Sequence, residues 1–315
     1  MTLLRKVAQA APRVGLLIVS PHPDDESVTT GALIAQYAAR GIRTAVATCT
    51  RGEQGEIVSA DIPGAGTDMA AIRSRLGDVR EAELRAACDV LGVTHLRTLG
   101  YRDSGMCGSA STERPEAFCN VDVDEATGRL VRILRELRPA VVVTESAWGT
   151  YGHPDHVMAR MMTLRAFAMA GDESAFPECG PSWKSARLYA VHPTADRWQV
   201  TDHWDDMVAQ MRAESGGAPY LSRWSLDQMG DERVTTQIDV SGYTGVQRAA
   251  IACHRTQFPS DSWWLTMPAA ARRVTLGISR LARLYPLLTP GEQERDLFPD
   301  GLLNAREDRP RTRSA

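Results

Sequence analysis

Val14-Gly15-Leu16-Leu17-Ile18-Val19 runs through Ser20-Pro21 into His22-Pro23-Asp24-Asp25-Glu26, and this junction decides the architecture. An unbroken aliphatic run reads as a strand buried on both faces, the mark of a parallel sheet covered by helices. In open sheets of that kind, ligands gather beyond the carboxyl ends of the strands. His22 to Asp25 stand at such an end. A second cluster, His153-Pro154-Asp155-His156, lies beyond another aliphatic run, Ala140-Val141-Val142-Val143. Either cluster alone is as well explained by a turn in which Asp caps the next helix. Two of them, each after a buried strand, predict one divided metal site.

Neutral imidazole and carboxylate are ordinary zinc ligands, and a catalytic zinc takes three protein ligands and keeps one position for water. His22, Asp25 and His156 are the expected three. These ligand types accept Fe2+ as well as Zn2+. Asp24 is left as a carboxylate beside the water, expected to take its proton as attack on a carbonyl begins.

The rest of the chain repeats the strand–helix alternation. A helix is expected over Gly31 to Arg40, stopped by Gly41, followed by a strand over Thr44 to Thr48. Helix Arg73 to Leu91, strand Thr94 to Leu99, helix Asp124 to Leu137 and strand Ala140 to Thr144 continue the pattern. The fold class is α/β, a Rossmann-like, mostly parallel sheet flanked by helices, with a smaller C-terminal α+β portion. The first strand is not followed by G-x-G-x-x-G, so nothing supports a dinucleotide role. The expected organisation is a catalytic core over 1–171, a portion over 172–300 that completes the substrate pocket without being independent, and a disordered tail over 301–315. In the C-terminal portion, strands are expected over Arg187 to Val191 and Thr235 to Val240, a charged helix-and-loop insertion over Trp198 to Tyr220, and a helix over Gly245 to Cys253. His254, at the end of that helix, reads as a cap or packed core residue rather than a ligand. Glu26 reads as the partner of a backbone amide or a group that orients a ligand. Glu53 and Glu56 lie in a loop after a strand's carboxyl end, where they either line the site or are solvated.

Pro21-His22-Pro23-Asp24-Asp25-Glu26 and Tyr151-Gly152-His153-Pro154-Asp155-His156 resemble the paired signatures of the PIG-L/LmbE-like zinc deacetylases. Cys49 to Glu56, the helix around Arg80 and Glu83, and Tyr101-Arg102-Asp103-Ser104-Gly105-Met106 resemble the actinobacterial mycothiol branch in particular. That branch includes a deacetylase of N-acetylglucosaminyl-inositol and an amidase of mycothiol S-conjugates. The resemblance spans about Val14 to Ala170 and returns weakly at His254-Arg255-Thr256-Gln257 and Asp296-Leu297-Phe298. It implies His22, Asp25 and His156 as metal ligands and Asp24 as general base, in agreement with the chemical reading. It further implies His153 as an acid or a charged group near the leaving nitrogen, and Tyr151 as a donor to the oxyanion. Arg80 and Asp103 become sugar-binding positions, against plainer readings as a solvated helix residue and a turn residue. Glu145-Ser146-Ala147-Trp148-Gly149-Thr150 departs from the acidic, Gly-Gly-containing loop usual in the branch, and Trp148 offers a flat face to a sugar or to the core edge.

With 315 residues, 43% hydrophobic, 24% charged and a net charge of −3, the chain reads as a soluble enzyme. A pI near 6.2 gives no concentrated positive face for nucleic acid. The N-terminus lacks a secretory pattern and no apolar run is long enough to span a bilayer, so no membrane partner and a cytoplasmic location are expected. The 6 cysteines, without C-x-x-C spacing, read as free thiols.

The leading expectation is a zinc-dependent hydrolase that cleaves the amide on the amino nitrogen of a small-molecule amino-sugar conjugate. Its alternatives are an amidase of a thiol-sugar adduct and a non-catalytic sugar-binding protein. Oligomeric state is left open, a homo-oligomer included.

Overall fold

The computed structural model describes residues 12–58, 69–147, 149–192 and 233–299. Trp148, the insertion expected over Trp198 to Tyr220 and the tail from 301 lie outside the described residues.

Strands β1 (Val14–Ser20), β2 (Thr44–Thr50), β3 (His95–Tyr101), β4 (Pro139–Thr144) and β5 (Arg187–Val191) pair in parallel in the order β3-β2-β1-β4-β5. Two further strands, β6 (Thr236–Asp239) and β7 (Ile278–Tyr285), extend the same sheet, with β7 antiparallel to β5 and β6 antiparallel to β7. Helices α1 (Asp25–Ala39), α2 (Met69–Leu91), α3 (Val123–Leu137), α4 (Gly149–Gly152), α5 (Pro154–Ala170), α6 (Thr244–Ile251) and α7 (Ala269–Leu276) connect or cover the strands.

Every residue of β1, β2 and β4 is buried, as continuous aliphatic strands between two helical layers require. Alternate side chains go to opposite faces. Leu17 and Val19 pack with Leu130, Leu134, Met158 and Met162 of α3 and α5. Leu16 and Ile18 pack with Leu33, Ile34, Tyr37, Leu84 and Ala250 of α1, α2 and α6. The strand order reverses between β1 and β4, which are adjacent in register from Leu16↔Val141 to Ile18↔Val143. The two chain segments leaving these strands therefore emerge side by side.

The expected elements are present with shifted ends. Helix α1 begins at Asp25 rather than Gly31 because Thr29 and Thr30 return their hydroxyls to the carbonyls of Asp25 and Glu26, at 2.6 and 2.9 Å, which makes hydroxyl residues acceptable in a helix. Helix α5 was not anticipated, although Pro154 just after a capping His153 is a helix-start signal. Strand β7 carries Arg280 and Arg283 and lacks a clear apolar run; its pairing with β5 and β6 makes it a strand. Among the described residues no helix is long and apolar enough to cross a membrane, and no two of the cysteines are joined in a disulfide.

Arg135 of α3 fixes the far end of α5. Its buried guanidinium donates to the carbonyls of Met169, Ala170, Asp172, Ala175, Phe176 and Gly180, at 2.6 to 3.2 Å. Carbonyls at a helix C-terminus lack partners within the helix, and a cation there also complements the helix dipole. Arg135→Met is expected to strand several of these acceptors and lower the unfolding free energy by about 2–4 kcal/mol, measured by urea denaturation.

Candidate metal centre and active site

The site forms where β1 and β4 end. Pro21 is pinned to β2 by two bonds to its carbonyl, from the Thr50 amide at 2.9 Å and the Thr50 hydroxyl at 3.1 Å. His22 follows, and Asp25 opens α1 with Oδ2 turned back to accept the His22 amide at 3.0 Å. From the other strand, Gly149 lets α4 press against α5. Its φ is +59°, and a Cβ there would lie 2.7 Å from the Cβ of His156 and 3.0 Å from the amide of Val157.

Each of two histidines has a carboxylate on one ring nitrogen and Asp25 at the other. His22 Nε2 lies 3.1 Å from Asp155 Oδ2, and His156 Nδ1 lies 3.1 Å from Glu145 Oε2. With the protons on those nitrogens, His22 Nδ1 and His156 Nε2 turn their lone pairs to Asp25 Oδ2, at 3.2 and 3.4 Å. Ligands of a tetrahedral ion bound at about 2.0–2.1 Å stand about 3.3 Å apart, which is close to the distance of each of these two nitrogens from Asp25 Oδ2. The acids are fixed in turn: Asp155 accepts the Ser104 amide at 3.0 Å and the Ser104 hydroxyl.

The pair His22 and His156 also forms a possible donor group with His153. However, His153 caps α5, and its Nδ1 accepts the Asp155 amide at 3.1 Å. A neutral His153 therefore carries its proton on Nε2 and is a donor there.

Charges follow this geometry. Burial opposes charge on His22, but Asp103, Asp155 and Asp25 hold its pKa well above the usual histidine value. His156 is raised in the same way, with burial outweighed by Asp25 and Glu145. Burial also works against ionised Asp25, yet His156 and His22 bring it down to about 2. His153 is pushed well below the ordinary value by burial and by His22, His156 and Arg80. The pocket thus attracts positive charge at the atoms that face Asp25 and keeps His153 neutral.

Asp24 stands between the ligand-type residues and Arg80. Burial pushes its carboxyl up to about 6, against the guanidinium of Arg80. Its backbone has φ 120° and ψ −31°, a conformation that costs a residue other than glycine about 1–3 kcal/mol. Arg80 is not on a solvated face of α2: it is 3% exposed and donates to Asp24 Oδ2 at 2.9 Å, Pro23 O at 2.5 Å and Gly52 O at 2.7 Å. Gly52, with φ +68°, leaves the room its guanidinium fills.

Asp103 is both a turn residue and a neighbour of the cluster. Its Oδ1 accepts the Gly105 amide at 2.8 Å and lies 3.6 Å from His22 Nε2, while Oδ2 accepts the Gln54 amide at 3.0 Å. Glu53 is buried and accepts the Asp103 amide at 3.2 Å, whereas Glu56 is exposed. Tyr151 lies in α4 by its backbone; its side chain is outside the described residues. Sequence reasoning gave no role to Glu145, Asp155 or Ser104. Glu145 follows β4 directly and Asp155 sits inside the second signature, so an acid near each candidate histidine was the available signal.

Two histidines oriented by carboxylates at the switch point of such a sheet form a pocket that could hold a metal ion. The chain belongs to the PIG-L family, described as GlcNAc-PI de-N-acetylase, whose profile matches residues 17–167. A 1D-myo-inositol 2-acetamido-2-deoxy-alpha-D-glucopyranoside deacetylase of Streptomyces scabiei is 38% identical over 296 residues, 91% of this chain and 90% of that protein. A protein of the same name from Thermomonospora curvata is 42% identical over 250 residues, covering 77% of this chain and 80% of its own. Among solved structures, N,N'-diacetylchitobiose deacetylase from Pyrococcus horikoshii shares the fold with a TM-score of 0.58 at 18% identity, over 88% of this chain and 87% of that one.

Because the surrounding carboxylates raise the proton affinity of His22 and His156, protons compete with a metal for these rings, and metal binding is expected to weaken as pH falls. Glu145→Gln is expected to weaken metal binding about 10–100-fold by loosening the His156 ring; competition with a chromophoric chelator measures both effects.

Proposed function

We propose that this protein is a zinc-dependent hydrolase that removes the acyl group from the amino nitrogen of a glucosamine-type sugar. The substrate to test first is 1D-myo-inositol 2-acetamido-2-deoxy-α-D-glucopyranoside, after which the relatives from Streptomyces scabiei and Thermomonospora curvata are named. The observation that carries the reading is the convergence of His22 Nδ1 and His156 Nε2 on Asp25 Oδ2, with Asp24 next in sequence.

In this reading His22, Asp25 and His156 hold the ion, and Fe2+ fits the same ligands. Bound there, the metal supplies Lewis acidity that polarises the amide carbonyl and lowers the pKa of an attacking water toward about 7. Asp24 takes the proton of that water and is placed to return it to the leaving nitrogen. Arg80 holds Asp24 Oδ2 and favours its ionised form. His153, neutral and protonated on Nε2, donates a hydrogen bond to the developing oxyanion rather than acting as a charged group. Tyr151 is assigned as a second donor to the oxyanion by the family resemblance. Asp103 and Arg80 keep the sugar-binding assignment by the family resemblance alone, since both carboxylate oxygens of Asp103 and both terminal nitrogens of Arg80 already hold neighbouring groups. The portion over 172–300 acts with the core, because β5, β7 and β6 belong to the same sheet.

The test is amine release by metal-analysed enzyme, with and without a chelator, from the N-acetylglucosaminyl-inositol and from a cysteinyl-glucosaminyl-inositol. Chelator-sensitive release from the first supports the deacetylase; preference for the second replaces it with the amidase. Asp24→Asn is expected to keep the metal and lose at least about 100-fold in kcat. Asp24 works only when ionised, so activity falls as pH drops through its pKa. The acid limb is expected at or below about pH 6, since a bound cation adds to the pull of Arg80. Arg80→Met removes that pull and is expected to move the limb to higher pH, read from the pH profile of kcat.

A further inference from the structure

Asp24 holds a strained backbone, with φ 120°, at the place where the proposed chemistry needs its carboxylate. The side chain of Asp24 makes no capping bond to α1, so the conformation is imposed from outside. Its amide donates to Glu26 Oε2 at 2.9 Å. Glu26 is itself fully buried, and its second oxygen, Oε1, accepts from His254 Nε2 at 3.0 Å and from the Ser27 hydroxyl. One carboxylate thus has each oxygen assigned, one to the backbone of Asp24 and the other to an imidazole that arrives 228 residues later in the chain.

We propose that His254 is a positioning residue for the proton acceptor: by bonding Glu26 it fixes the turn that presents Asp24 to the ligand cluster. The proposal rests on the reading of Asp24 as the group that accepts the proton.

Three observations separate this role from core filling. First, α6 and the segment after it are tied to the core without His254. Gln247 Nε2 donates to the carbonyls of Ser27 and Val28 at 3.1 and 2.9 Å. Thr256 bonds Glu83 through its amide at 2.9 Å and its hydroxyl at 2.7 Å, and Gln257 reaches Glu56 O at 3.0 Å. Second, His254 is fully buried and its Nδ1 meets no hydrogen-bond partner among the described residues, so Glu26 is the group its polar edge serves, with Ser27 Oγ at a longer 3.4 Å. Third, Glu26 Oε1 is held by the His254 nitrogen, and without that donor the carboxylate is free to rotate away from the Asp24 amide. Rotation removes the bond that opposes relaxation of the strained turn.

The consequence is a defect in turnover rather than in substrate or metal binding. Asp24 is not among the expected ligands, and a small misplacement of a reacting group is costly to rate. The test compares holoenzyme variants His254→Leu, His254→Gln, Glu26→Gln and Asp24→Asn on the N-acetylglucosaminyl-inositol, with metal stoichiometry measured for each. His254→Leu is expected to lower kcat roughly 10–100-fold with KM and metal content unchanged. Gln places an amide Nε2 where the imidazole nitrogen stood, so His254→Gln is expected to recover most of that loss. The neutral amide of Glu26→Gln cannot accept from both Asp24 and His254, so this variant is expected to be slow with its metal retained. Wild-type kcat in His254→Leu or Glu26→Gln, with Asp24→Asn inactive, overturns the positioning role and leaves the Asp24 reading standing. Wild-type kcat in Asp24→Asn overturns both. A His254→Gln enzyme as slow as His254→Leu also overturns the role assigned to the donor nitrogen. If His254→Leu fails to fold, slow Glu26→Gln beside active His254→Gln supports the proposal, and wild-type turnover in Glu26→Gln defeats it.

Discussion

The parallel pairing of β1 with β4 is the constraint on which everything else in this molecule depends. It matches Ile18 with Val143, so the chain leaves both strands on the same edge of the sheet within a few residues of the pairing. Helices depart to opposite faces there and open a crevice, the recurrent binding place of doubly wound sheets. Asp25 on one wall and His156 on the other then come within 3.4 Å, although they are 131 positions apart in the chain (156 − 25).

That crevice holds more buried charge than a core normally tolerates, and it does so by pairing. His22 has Asp155, His156 has Glu145, Asp24 has Arg80 and Glu26 has His254. A carboxylate on the far nitrogen of a ring fixes which nitrogen keeps its lone pair, and here both lone pairs point to Asp25. In the proposed site the donor geometry is therefore set by the protein before an ion enters. Arg80 and Glu26 act on the next residue, Asp24, one through its carboxylate and the other through its amide. A strained residue persists only where its surroundings overdetermine it, and Asp24 is held from both sides.

The C-terminal half contributes more than three strands to a sheet. Its segment from His254 to Gln257 reaches Glu26 beside the first signature, Glu83 on α2 and the carbonyl of Glu56 in the loop after β2. Three parts of the N-terminal half that frame the site are thus fastened by His254, Thr256 and Gln257. A chain cut before α6 would keep both signatures and lose these ties.

Much of this was legible in the sequence where the signal is local. The aliphatic runs at Val14 and Ala140 fixed two strands because burial on both faces demands an unbroken apolar run, and His22, Asp25 and His156, the ligands proposed, stand out by residue type in the segments that follow those runs. Arg187 to Val191 was delimited correctly for the same reason. Helix α5 and strand β7 were missed, the first because its face is not cleanly divided, the second because arginines interrupt it. His254 was read as a packed core residue, which it is, but its partner Glu26 was invisible: a hydrogen bond across 228 positions leaves no periodicity. The same holds for Arg80, expected to bind sugar or, on the plainer reading, to be solvated on α2: its bonds to the carbonyls of Pro23 and Gly52 join parts of the chain that no local pattern connects. Sequence by itself determined which residue types are present and which strands are buried, because composition and period act within a few residues. Only the tertiary structure decided which acid orients which histidine and what holds Asp24, because those pairings depend on contacts that the chain makes after the sheet has formed.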